Sequence, residues 1–428
     1  MPHYLKAVAV FAAGLIMAGG VIAQDKQETA PKKEPSAQQP APAAPAAAAK
    51  EEKKEEEPFW AKGRPKAGPG AAMAPIAAPP IPTPADKLPK LQAPEGFKVE
   101  VYQPGVLDAR SMRRGDKGTL FVSSLFVAGK VYAITEKGGK REMKTILSGL
   151  ELPSGIEFYK GALYVATPKQ VLKYDNIESN LDKPPQPTVV YDKLPGDVPH
   201  GWKYLRFGPD NKLYVPIGAP CNICDAGDRY TQIFRINPDG SGMEVVARGV
   251  RNTVGFDFHP KTKELWFTDN QRDWLSEDFP QDELNRLQNP GKDHFGYPYC
   301  HSGAMVDPEF GWGKSCDGHV APATLLGPHS APLGMQFYTG KMFPANYRGA
   351  IFIARHGPWN RTKKHADVAV AFLDATSRDT RVVPFLTGFA KDNQYDGRPV
   401  DVLTMPDGSL LVSDDHAGAI YRVSYGKK

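Results

Sequence analysis

The sequence predicts an all-β fold, a six-bladed β-propeller, and three observations predict it. A polar or Gly-containing turn leads into a short apolar strand six times: GTLFVSS at Gly118, GALYVAT at Gly161, NKLYVPIG at Asn211, KELWFTD at Lys263, GAIFIAR at Gly349 and GSLLVSD at Gly408. Each of these first strands is followed by a second, in order KVYAITE, QVLKYD, QIFRINPDG, DELNRL, DVAVAFLD and AIYRVSY, and their alternation is the period-2 pattern of half-buried strands. Most units are spaced by roughly 45 to 60 residues, the period of propeller blades. A two-sheet sandwich could use the same strands. A closed ring leaves fewer exposed sheet edges, and six repeats rich in Gly and aromatic residues favour it.

Two segments precede the repeats. MPHYLK carries a light positive charge, and the apolar run AVAVFAAGLIMAGGVI then leads into small residues. Residues 1–23 therefore read as a secretory signal peptide cut between Ala23 and Gln24. The run is short for a membrane span and no second hydrophobic segment follows it, so the expected location is periplasmic or secreted. Residues 24–90 are rich in Ala, Pro, Lys and Glu and are expected to form a disordered linker, because they cannot bury enough apolar surface to offset the entropy of ordering. Their charges alternate in sign, and a formal net charge of +5 over 428 residues is small. Nothing here points to nucleic acid. Residues 91–428 form the propeller domain.

Within the repeats, the interval between the fourth and fifth units is longer and holds NPGKDHFGYPYCHSG, which reads as an insertion on one face. The four cysteines of an exported chain suggest two disulfides. Cys221 with Cys224 and Cys300 with Cys316 is the most economical of three pairings. Haem attachment would need a histidine after Cys224, where Asp225 stands, and a zinc site using all four thiols is disfavoured in an oxidising compartment.

A propeller gathers loops from every blade on one face around its channel, so polar residues at strand ends become candidates for one shared site. Arg110 precedes the first blade's strands and His200 those of the third. Arg251 and Asn252 precede the fourth, Arg355 and His356 end the strand of the fifth, and Arg398 and Asp401 precede the sixth. Histidine is suited to proton transfer near neutral pH. Arginines converging on one channel repel unless an anion lies between them, and a multiply carboxylated ligand would satisfy them bidentately. Singly, each has a plainer reading: an inter-blade ion pair, a hydrogen-bonded histidine, or an Asn tolerating a turn conformation.

Taken together, HGWKYLRFGPDNKLYVPIG, GVRNTVGF, TDNQRDWLSEDFPQDELNRL, HFGYPYC, RHGPWNR and GRPVDVLTMPDGSLLVSDD resemble the glucose/sorbosone dehydrogenase family, closest to its sorbosone dehydrogenase-like branch. These are soluble quinoprotein sugar dehydrogenases that use pyrroloquinoline quinone (PQQ) and Ca²⁺ on a six-bladed propeller. The likeness runs from Leu91 to Tyr425. It implies that His200 is the general base for a sugar C1 hydroxyl and that Arg251 stabilises the developing oxyanion beside Asn252. Arg398 would hold a PQQ carboxylate, with Arg110, Arg355 and His356 as further cofactor contacts. The matching Ca²⁺ position falls on the backbone carbonyls of Gln271 and Arg272, where the family has a Gly-Pro turn. Val400 stands in place of a second family arginine, and Pro199 supplies no acid to orient His200. The implied substrate is a sugar or related small molecule, and the electron acceptor is a separate quinone or periplasmic cytochrome. Two other readings use the same face: a metal-dependent lactonase resting on Asn252, Asp401 and Asp414, and a non-catalytic propeller that binds a glycan or protein.

Overall fold

A computed structural model describes residues 81–125, 128–197, 200–374 and 380–426. The expected signal peptide, and the expected linker up to residue 80, lie outside the described residues. Six four-stranded antiparallel sheets follow one another along the chain. Blade one is built from Met112–Arg114, Leu120–Ser123, Val131–Lys137 and Lys140–Leu147; blade two from Gly155–Tyr159, Ala162–Ala166, Val171–Tyr174 and Thr188–Tyr191. Blade three comprises Arg206–Phe207, Leu213–Ile217, Gln232–Ile236 and Glu244–Arg248; blade four Phe256–Phe258, Leu265–Asp269, Gln281–Arg286 and Thr324–Pro328. Blade five comprises Pro332–Phe337, Ile351–Arg355, Asp367–Leu373 and Thr380–Leu386. Blade six joins Pro399–Thr404, Leu410–Asp414 and Ala419–Tyr425 to Phe97–Pro104 from the start of the domain. That last pairing, from Phe97 opposite Tyr425 to Pro104 opposite Ala419, closes the ring.

The apolar strands legible in the sequence prove to be the second strand of each blade, not the first. In all six blades the described residues of this strand are buried, apart from Arg355 at the end of blade five. Such continuous apolar runs arise because the strand is covered on both faces by neighbouring blades, as in sheets covered on both sides. The true first strands neighbour one another around the channel and are short in blades one, three and four. Their side chains meet polar groups in the channel. Arg113 donates to Glu157 at 3.1 Å and Asp401 at 3.2 Å, and Arg206 pairs with Asp257 at 3.0 Å. Val254, Leu333 and Val400 form an apolar cluster at the starts of three of these strands, with Trp202 against it.

Each blade's first strand begins, and its second strand ends, on the same face. The insertion anticipated between the fourth and fifth units lies inside blade four, between its third and fourth strands. It runs beside the outer strand of blade three, where His294 bridges Arg248, and carries the short hairpin Cys300–His301 with Met305–Val306. Residues 81–90, assigned to the linker by composition, lie against blade six. The Thr83 N–H donates to the Ala417 carbonyl at 2.9 Å, and Leu88 joins the apolar cluster of blades five and six.

Candidate functional site

His200 enters the site face with a left-handed backbone, φ 58°. Gly218, closing the strand LYVPIG, makes room for it, since a Cβ there would stand 2.7 Å from the His200 Cβ and 3.2 Å from the Arg251 carbonyl oxygen. The His200 Nδ1 lies 2.7 Å from the Ala219 carbonyl. A carbonyl can only accept, so the neutral ring carries its proton on Nδ1 and leaves Nε2 as the basic nitrogen. Burial, then the charge of Arg251, hold the imidazole well below its ordinary pKa. It is neutral at pH 7, as a general base must be.

Arg251 is 2% exposed. Its Nε donates to the Asn222 carbonyl at 2.8 Å, Nη2 to the Asn222 Oδ1 at 2.8 Å, and Nη1 to the Asn270 carbonyl at 2.9 Å. Asp273 stands 3.5 Å from Nη2. The backbone N–H groups of Arg251 and Asn252 both donate to the Asp269 carboxylate, at 3.0 and 2.7 Å, which fixes the turn carrying them. Among the described residues, the Asn252 side-chain amide has no hydrogen-bond partner.

A second cluster forms where blades five, six and one meet. Asp415 accepts from Arg110 at 2.8 Å and faces the His356 Nε2 at 2.9 Å. Arg398 donates through Nε to the His356 carbonyl at 3.0 Å and through Nη2 to the Gly357 carbonyl at 2.6 Å, and stacks over Tyr395. Among the described residues no carboxylate pairs with Arg398, and burial pulls its pKa down. A half-buried cation held by carbonyls and a ring, with no counter-charge, is a ready partner for an anion. Asp273 lies beside Arg251.

The remaining expected residues each have partners of their own. Arg355 is committed to Asp367 at 2.7 and 2.5 Å and to the Leu326 carbonyl, which turns it into the contact between blades four and five. Gln271 and Arg272 are both 3% exposed. Arg272 is neutralised by Asp307 at 2.7 Å and Glu309 at 2.9 Å, while Gln271 Oε1 meets His301 Nδ1 at 2.8 Å. Neither backbone carbonyl accepts a hydrogen bond among the described residues. Asp401 is occupied by the Met112 N–H and Arg113, and Asp414 by the Arg398 and Ala417 N–H groups and the Tyr421 hydroxyl. Burial pushes Asp414 up to about 7. Both cysteine pairs form as expected, Cys221–Cys224 and Cys300–Cys316.

Four residues on or near this face escape the sequence reading. Asn222 hides inside the CxxC, and Asp273 follows Arg272 without a motif of its own. Asp415 follows the second strand of blade six just as His356 follows that of blade five, a positional parallel that could have found it. Lys203, 2% exposed and three residues after His200, has no carboxylate within ion-pair distance among the described residues, and burial lowers its ammonium to about 7.

Residues 166–422, more than half of the chain, match the family model described as Glucose / Sorbosone dehydrogenase. A protein of Borreliella burgdorferi described as uncharacterized is 33% identical over 354 residues, covering 79% of this chain and 91% of its own length. Among solved structures, a Trichoderma reesei carbohydrate-active enzyme of family AA12 aligns with TM-score 0.69 at 19% identity, over 79% of this chain and 98% of that one. The holo PQQ domain of pyranose dehydrogenase from Coprinopsis cinerea aligns with TM-score 0.66 at 18% identity, over 80% and 98%. The apo form of the soluble aldose sugar dehydrogenase of Escherichia coli aligns with TM-score 0.59 at 19% identity, over 77% and 100%. At these identities the structural likeness is one of fold.

Proposed function

The chain belongs to the glucose/sorbosone dehydrogenase family, and from that premise we propose that it is an exported oxidoreductase that oxidises the C1 hydroxyl of an aldose, or of a related sugar or aldehyde hydrate, with PQQ as hydride acceptor. The observation that carries this reading is a neutral, buried His200 beside Arg251 on the same face as Arg398, a half-buried cation lacking a carboxylate.

The residues present fit an anionic cofactor. Arg398 would hold one of its carboxylates, with Arg110 and His356 close by, and the uncommitted Asn252 amide would face it beside Arg251. When bound, PQQ supplies the two-electron acceptor and carboxylate charge that the side chains cannot. Ca²⁺ would rest on the free carbonyls of Gln271 and Arg272, the neighbouring guanidinium being neutralised by Asp307 and Glu309; its general contribution there is that of a Lewis acid.

His200 Nε2 takes the proton of the C1 hydroxyl. The Ala219 carbonyl steadies the imidazolium that forms, because Nδ1–H already donates to it. Arg251, locked by Asn222 and Asn270, presents positive charge to the oxygen as it becomes anionic, without reorganising. The released electrons pass on to a separate acceptor, a quinone or cytochrome.

A lactonase would need Asp401 and Asp414 open to a metal, and both carboxylates are already spent on N–H groups, Arg113 and Tyr421. Turnover of an aldose carrying deuterium at C1 tests the proposal. The product must lack that deuterium; product retaining it places the oxidation elsewhere and contradicts the assignment.

A further inference from the structure

We infer that the Cys221–Cys224 disulfide loop is a positioning device for Arg251, acting through Asn222. The inference rests on the assignment of Arg251 to the reaction centre. Asn222 is 1% exposed and receives two of the three short hydrogen bonds of the Arg251 guanidinium, one on its carbonyl and one on its Oδ1. Its side chain is itself clamped: Oδ1 also accepts the Asp273 N–H at 2.8 Å, and Nδ2 donates to the Asp273 carbonyl at 3.0 Å. One amide thus orients both Arg251 and the segment whose carboxylate lies beside it.

The disulfide brackets this amide with a sequence separation of 3. From the other side, Tyr297 of the blade-four insertion accepts the Cys224 N–H at 3.0 Å and reaches the Asn222 carbonyl at 3.4 Å. Asn222 lies in the connection between Leu213–Ile217 and Gln232–Ile236, where no ladder fixes the backbone. A disulfide closing so short a loop removes less entropy from the unfolded chain than one closing a longer loop such as Cys300–Cys316. Its value here lies in holding Asn222 in register with Arg251, since small misplacements of an electrostatic group are expensive in rate. Both cysteines are partly exposed. A dithiol can therefore reduce the Sγ–Sγ bond by two electrons, leaving two thiols and its own disulfide.

The test is a double-mutant cycle on the full chain loaded with PQQ and Ca²⁺: Cys221→Ser/Cys224→Ser, Arg251→Ala, and the combination. In the wild-type background, loss of the disulfide should lower kcat by about tenfold or more. KM and PQQ affinity, the latter read by absorbance, should change by less than about threefold, and the melting temperature should stay within about 3 °C. In the Arg251→Ala background the same loss should cost less than about twofold, because the group being positioned is gone. An equal cost in both backgrounds, or an unchanged kcat with intact Arg251, overturns the inference alone. Full turnover by Arg251→Ala instead removes the reading on which it rests. Should the double serine variant fail to fold, Asn222→Ala and dithiol-reduced wild type enter the same cycle with the same expectations.

Discussion

Arg110 and Asp415 form a 2.8 Å ion pair across 305 residues of chain, at the seam where the first blade meets the last. His356 of blade five approaches the other oxygen of the same carboxylate, so one side chain ties three blades together. The seam is also closed by the pairing of Phe97–Pro104 with Ala419–Tyr425. Arg110, His356 and Asp415 of the cationic cluster thus stand at the seam where the ring closes.

If the imidazole takes the substrate proton and the arginines bind the cofactor, as proposed, His200→Ala should lower turnover by about a hundredfold or more while leaving PQQ affinity nearly unchanged. Steady-state kinetics with a parallel absorbance titration checks both halves. Near-wild-type turnover would remove the base.

The pH profile follows from the same residue. A general base works when neutral, and burial and Arg251 both lower the pKa of His200. Activity should therefore persist as pH falls through the ordinary histidine value of about 6.5, with the acid limb well below it. Replacing Arg251 with Met removes a cation that opposes protonation, so the limb of the residual activity should move to higher pH. A limb that stays in place would show that Arg251 does not act on His200.

Arg398→Met separates cofactor binding from stability. The guanidinium lies half-buried against carbonyls without a carboxylate, so the apoprotein should melt close to wild type. Its PQQ affinity should fall by about ten- to a hundredfold. Calorimetry of the apo form and a titration of the holo form read the two quantities separately.

Asp401→Asn should do the opposite. It removes a partner of Arg113 in the channel and weakens the acceptor for the Met112 N–H, so a loss of about 3 kcal/mol in unfolding free energy is expected. Protein that remains folded should keep its PQQ affinity. Denaturant unfolding measures the first, and the absorbance titration the second.

The fold was legible because the second strand of each blade is covered on both faces and reads as a short, mostly apolar run. The first strands were missed because they line a polar channel: Arg206–Phe207 has two residues and no pattern, and Arg113 looks like a surface cation until Glu157 and Asp401 are seen around it. His200, Arg251 and Arg398, on which the proposed chemistry rests, stand at equivalent strand ends, which makes them visible in the sequence. Arg355 stands at such an end too, but strand pairing places it opposite Asp367, and register is not written in local sequence. Asn222 and Asp273 act through backbone groups and amide geometry, which leave no periodic trace.

The most direct test of the central claim is an absorbance titration of purified apoprotein with PQQ in the presence of Ca²⁺, followed by addition of an aldose and an artificial electron-accepting dye. The account predicts saturable binding that depends on Ca²⁺ and weakens in Arg398→Met, with dye reduction that requires the aldose. Folded protein that binds no PQQ under these conditions would contradict it.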